Sequence, residues 1–284
     1  MKQIGRRGFV IFGSTVVATV FLGVFSRIFG RKRLRFPYLN SALSVSEYAA
    51  LAAKPGWGAS QIVVAPGISL NGLIRRPKSV DAPWVLFYQG NDAHMLRVGQ
   101  AFLSGLVSDR DWGLAIYAYR GYDSSAGKPH LTDLAADAPL ILAQLCATQR
   151  IECSRVHLVG FSIGGHLAVR AMAVTVDQQQ KPASLTLLAA VNDIVMVPRS
   201  FFDRFDPGDD FQTSPFLESV PAPVLVMQGT ADEALLGPEQ GRAIAAKLGQ
   251  RAHYVELPDV GHLALLSNET VFATTRDFIS EHAK

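Results

Sequence analysis

Past position 36 the chain alternates short apolar runs with stretches of helical period, divided by glycine, proline and polar turns. A short helix is predicted over 44–53, and the runs 61–65 and 68–75 flank Pro66-Gly67 as a hairpin. Further strands are predicted at 84–88, 113–119, 155–160, 184–190, 224–227 and 252–257. These runs are continuous rather than alternating, the pattern of strands buried on both faces of a parallel sheet. Helical periodicity fills the gaps at 96–107, 132–148, 163–176, 238–248 and 268–281. Thr132 is the expected N-cap of its helix, with Asp133 and Asp137 in early turns where the helix dipole favours negative charge. The order implies an α/β fold, a mostly parallel central sheet with helices on both faces. No internal repeat or low-complexity tract interrupts it.

The first 35 residues follow another pattern. Residues 8–26 (GFVIFGSTVVATVFLGVFS) run for 19 positions without a charge, close to the ~20 that cross a bilayer as one hydrophobic helix. Arg6-Arg7-Gly8-Phe9-Val10 resembles a twin-arginine export signal, which is a receptor-read address rather than an anchor. No A-x-A cleavage site follows; Val24-Phe25-Ser26 is the nearest substitute, with Arg27 straight after it. Read as an uncleaved anchor, Arg27, Arg31, Lys32, Arg33 and Arg35 outnumber Lys2, Arg6 and Arg7, and the positive-inside bias holds the body in the cytoplasm. The chain is expected to be membrane-associated through this helix or exported by the twin-arginine-like signal, and the two readings predict opposite sides of the membrane. The expected organisation is a signal or anchor with basic flanks at 1–35 and a folded domain at 36–284, with a short cap-like insert at 194–223.

Composition narrows the function classes. Of 284 residues, 49% are hydrophobic and 18% charged, enough apolar material for a large core. Eight of the 27 Lys+Arg lie in the first 35 positions, so the remainder sets 19 against 24 Asp+Glu, a balance of −5. That body is a poor match for a phosphate backbone, and nucleic acid is set aside as a partner. Two cysteines, Cys146 and Cys153, rule out a disulfide framework and a Cys-rich zinc site. A bridge between them suits an exported protein; two buried thiols suit a cytoplasmic one.

The chemistry centres on Gly160-Phe161-Ser162-Ile163-Gly164, between a predicted strand and a predicted helix. A serine on so sharp a turn holds a strained backbone, so its neighbours two positions away need almost no side chain. The helix N-terminus presents free N–H groups beside the hydroxyl, where an oxyanion is stabilised. A nucleophilic serine needs a base, and the base an orienting acid, in the order Ser, Asp or Glu, His. Asp232 follows the 224–227 strand, with Glu233 and Asp193 as alternative acids; His262 follows the 252–257 strand. The other histidines fit less well: His157 lies in a strand, His166 in a helix, His253 at a strand start and His282 at the C-terminus, while His94 and His130 are on loops. Ile163 and Asn91 are the expected backbone N–H donors to the oxyanion, and Gln89, His94 and Phe161 are candidates to face substrate. No metal or organic cofactor is required.

The ordered set FYQGN, YRGYDSSAGKP, GFSIGG, QGTADE and Gly261-His262 resembles the α/β-hydrolase superfamily, over roughly 83–280. It is most similar to the serine-hydrolase branch, serine aminopeptidase-like or hydrolase 4-like, with H-G-N at the oxyanion loop, which includes membrane-linked acyl-protein and lipid hydrolases. Gln89 replaces the usual histidine, and Asp123 replaces a glycine in Tyr119-Arg120-Gly121-Tyr122-Asp123-Ser124. The resemblance implies a serine hydrolase acting on an ester or thioester of a small or lipid-like acyl substrate. Phe201, Phe202, Phe205, Phe211 and Phe216 in the insert suit an apolar wall beside the serine, or close the core beneath the loop. A peptidase or amidase on the same triad and a non-catalytic binding scaffold are the alternatives. Oligomeric state leaves no signal in the sequence.

Overall fold

The computed structural model describes residues 38–39, 41–174, 181–193, 212–235 and 237–283. The predicted N-terminal helix, its 8–26 membrane segment, and Phe201, Phe202, Phe205 and Phe211 of the insert lie outside these residues. Among the described residues no helix is long and apolar enough to cross a membrane.

Eight strands form one sheet: β1 (Trp57–Ala65), β2 (Ile68–Arg75), β3 (Trp84–Tyr88), β4 (Gly113–Tyr117), β5 (Val156–Phe161), β6 (Ser184–Leu188), β7 (Val224–Gly229) and β8 (Ala252–Leu257). Their spatial order is β1-β2-β4-β3-β5-β6-β7-β8. The β1–β2 and β2–β4 pairs are antiparallel and the rest parallel. Every residue of β3 to β7 is buried, as continuous apolar runs require. The helices are α1 (Val45–Ala52), α2 (Met95–Val107), α3 (Leu131–Gln149), α4 (Ile163–Val174), α5 (Ser214–Leu217), α6 (Glu239–Leu248) and α7 (Glu269–His282). Adjacent side chains of β3 show how they cover both faces. Phe87 stacks on Phe102 of α2 at 4.5 Å, with Phe272 of α7 behind it, while the Tyr88 hydroxyl donates to Ala138 O of α3 at 2.7 Å. Successive strand residues point to opposite faces, so one dipeptide fastens both layers.

Several boundaries differ from the sequence reading. β1 begins at Trp57 because its antiparallel register reaches Arg75; its first residues are partly exposed and carry no apolar run. β4 ends at Tyr117 and β7 continues to Gly229, paired with Leu257. The third helix starts at Leu131 with His130 in the cap position, so Thr132 is not the N-cap. Asp137, expected to serve the helix dipole, is instead buried in a bidentate pair with Arg120, both contacts 2.6 Å. Cys146 and Cys153 are disulfide-bonded across a Cα separation of 5.7 Å, joining the end of α3 to the turn before β5.

Candidate active site

The loops after β3, β5, β7 and β8 all leave the carboxyl ends of parallel strands, where open α/β sheets place their ligand crevice. Ser162 occupies the turn from β5 into α4 with φ +55°, a left-handed conformation that costs a non-glycine residue roughly 1–3 kcal/mol. Its N–H donates to Leu188 O at 2.9 Å, and its carbonyl accepts from Gly165 N at 3.0 Å and Val191 N at 3.3 Å. The surrounding backbone therefore over-determines the strained turn. Glycine is forced by close approach: a Cβ on Gly164 lies 2.0 Å from Tyr88 O, and one on Gly160 lies 2.6 Å from Gly164 O.

The side chains expected as acid and base lie in contact. His262 Nδ1 lies 2.8 Å from Asp232 Oδ2, both side chains buried. The same oxygen accepts from Gln228 Nε2 at 2.6 Å, while Oδ1 accepts from Ala234 N at 3.0 Å and Leu235 N at 2.8 Å. A carboxylate so surrounded by donors makes Nδ1 of the imidazole the protonated nitrogen and leaves Nε2 as the lone pair. Glu233 supports the same turn, accepting from His262 N at 3.2 Å, and Asp193 bridges to Gln212 at the root of the insert. Thr230 N donates to Leu257 O and Ala231 N to Val260 O, tying the acid loop to the histidine loop. Among the described residues Ser162 Oγ makes no hydrogen bond, and of the three expected side chains the two that bond are Asp232 and His262.

The loop after β3, expected to supply an oxyanion donor, adjoins Ser162: a Cβ on Gly90 lies 3.1 Å from Ser162 Cβ and 2.9 Å from the Phe161 ring. The Gly90 N–H is taken by Gln89 Oε1 at 3.1 Å, and Asn91 follows it along the loop. Gln89 is 1% exposed with Nε2 unpartnered, and its Oε1 braces the loop from inside. Phe161 is likewise buried, its ring 4.8 Å from the His262 ring, where it holds the base in place. His94 is exposed at the start of α2, 3.2 Å from Ser41 Oγ. His157 bonds Ser184 and His166 bonds Thr213, both inside the core. Phe216 packs edge-on against His166 with Arg170 over its face at 4.1 Å.

The Tyr119–Ser125 motif is scaffolding. Tyr119 donates to Gln89 O at 2.8 Å, Tyr122 to Asn91 Oδ1 at 2.7 Å and Ser125 to Ala118 O at 3.0 Å. Asp123 turns at φ +43°, a conformation that favours glycine, and its Oδ2 accepts Leu96 N at 2.6 Å to cap α2. The roles of Gln228, Tyr119 and Tyr122 escaped sequence reasoning; their place inside the quoted motifs was the one signal they gave. Among the described residues no group of three or more His, Cys, Asp or Glu is arranged to hold a metal.

No family model matches the chain. It is 27% identical over 275 residues to an uncharacterised protein of Mycobacterium tuberculosis, covering 94% of each chain. It is 26% identical over 226 residues to the alpha/beta hydrolase domain-containing protein WAV2 of Arabidopsis thaliana, covering 71% of each. A crystal structure of an alpha-beta hydrolase from Vibrio vulnificus superposes with a TM-score of 0.68 at 18% identity over 93% of both chains.

Proposed function

We propose that the chain, which is similar to alpha/beta hydrolase domain-containing proteins and has the α/β-hydrolase fold, is a serine hydrolase cleaving a carboxylic ester or thioester through an acyl-enzyme. The observation that carries this reading is the buried 2.8 Å contact of His262 with Asp232, with the His262 ring 4.8 Å from that of Phe161, the neighbour of a serine at φ +55°. His262 Nε2 takes the Ser162 hydroxyl proton as Oγ attacks the substrate carbonyl carbon. The Ile163 and Asn91 N–H groups hold the resulting oxyanion. Collapse breaks the carbonyl bond to the leaving oxygen or sulfur, which receives the proton from Nε2. Water then attacks the acyl-enzyme, giving its proton to Nε2; the acid leaves and Ser162 regains its hydrogen. An acyl or lipid-like substrate fits the apolar insert and a membrane tether through residues 8–26. The Cys146–Cys153 bridge favours the exported side.

The test is covalent labelling of the full chain with a fluorophosphonate, beside Ser162→Ala and His262→Ala. Label on the wild type and on neither variant is expected. Folded wild-type protein that stays unlabelled overturns the reading in favour of a binding scaffold. Parallel rates on nitrophenyl esters, thioesters and nitroanilides then separate esterase from amidase chemistry.

A further inference from the structure

The first described residues of the body, 38–43 (Asn40 lying outside those described), form neither helix nor strand, yet their polar groups converge on the two loops that shape the oxyanion site. Leu39 N donates to Asn91 Oδ1 at 2.8 Å, the oxygen that also accepts the Tyr122 hydroxyl at 2.7 Å. A carbonyl oxygen has two lone pairs, so these two donors saturate it. Ser41 Oγ donates to Ala93 O and lies 3.2 Å from His94 Nδ1, while Ser41 O accepts Asp123 N at 3.1 Å. Leu43 O accepts the Ser124 hydroxyl at 2.7 Å, and the Tyr38 ring meets Tyr122 edge-on at 6.4 Å.

We propose that this strap is a positioning element of the oxyanion loop, acting through the Asn91 carboxamide to aim the Asn91 N–H at the carbonyl oxygen on Ser162. The proposal rests on the serine-hydrolase reading of the site. Gly90 gives the loop no side chain of its own to anchor it, since any Cβ there collides with Phe161. Gln89 Oε1 fixes the Gly90 N–H from within the loop, while the Asn91 carboxamide is fixed from outside it. That clamp is closed by Leu39 from one side and Tyr122 from another. Oxyanion donors act by being fixed before charge develops, so a loosened clamp lowers the rate of the chemical step more than substrate binding.

Leu39→Pro removes the N–H that donates to Asn91 Oδ1, and Ser41→Ala removes the hydroxyl that holds Ala93. Both are made in the full chain, with Ser41→Thr as the variant that keeps a hydroxyl. The readouts are the fluorophosphonate labelling rate, kcat and KM on p-nitrophenyl butyrate, and Tm. Labelling and kcat are expected to fall about tenfold for Leu39→Pro and severalfold for Ser41→Ala, with KM and Tm held and Ser41→Thr near wild type. Wild-type rates in both variants overturn the proposal, as does a loss of kcat that merely follows a fall in Tm or that Ser41→Thr does not restore. A wild type that fails to label removes the serine-hydrolase reading and the proposal with it, whereas one that labels isolates the strap as the thing tested.

Discussion

Four donors reach the Asp232 carboxylate, and in the proposed mechanism His262 is the one among them whose proton matters to the chemistry. Replacing it with asparagine keeps the volume but offers an N–H where the imidazole needs an acceptor, forcing the proton from Nδ1 to Nε2. We expect Asp232→Asn to lower kcat by about 10⁴-fold with the fold retained, read from ester turnover beside far-UV circular dichroism. Two other histidines matter to stability instead. Burial, with the nearby His282 second, pushes His157 down from its ordinary value of 6.5 to about 4. Burial, with Arg170 second, pushes His166 down to about 3. Both bind protons more readily unfolded than folded, so stability is complete above about pH 6.5 and is lost as pH falls toward these values. Thermal unfolding from pH 7 to pH 4 is expected to show a falling Tm, with a shallower slope in His157→Gln. The sequence located these histidines on a strand and a helix, but their burial depends on the elements stacked over them.

At the scale of elements, α2 has its N-terminus capped from outside itself. Its own cap residue, His94, makes no capping bond, and Asp123 reaches over from the loop after β4 to bind Leu96 N. The same aspartate occupies φ +43°, where glycine is at ease. Asp123→Gly therefore loses a cap but relieves the backbone, whereas Asp123→Ala loses the cap and keeps the strain. Asp123→Ala is expected to be the less stable of the two by about 1 kcal/mol, measured by urea unfolding. The buried strands were legible because five consecutive apolar residues between turns have few other uses. The start of β1 was not, because Gly58, Ala59 and Ser60 become strand through pairing with Ile74, Leu73 and Gly72 rather than through their own character.

For the whole molecule, the disulfide and the N-terminal arm lead to one experiment. If the body works in an oxidising compartment, Cys146 and Cys153 resist alkylation in intact cells until a reductant is added, and deleting residues 8–26 moves the chain from the membrane to the soluble fraction. Thiols that alkylate without reductant would instead support the cytoplasmic side that the positive-inside bias predicts. What the sequence determined by itself was whatever is written over a few adjacent residues: the α/β alternation, the glycine-flanked serine, and the strand ends that carry Asp232 and His262. Local periodicity and turn chemistry suffice for these. The tertiary structure decided which groups meet across the chain: Asp232 over Glu233 at His262, Gln89 turned inward, Asp123 as a cap for α2, and Leu39 against Asn91, 52 residues away. Those contacts join segments with no common local pattern, so they exist only once the sheet has set its strand order and the burial of each polar group has required a partner.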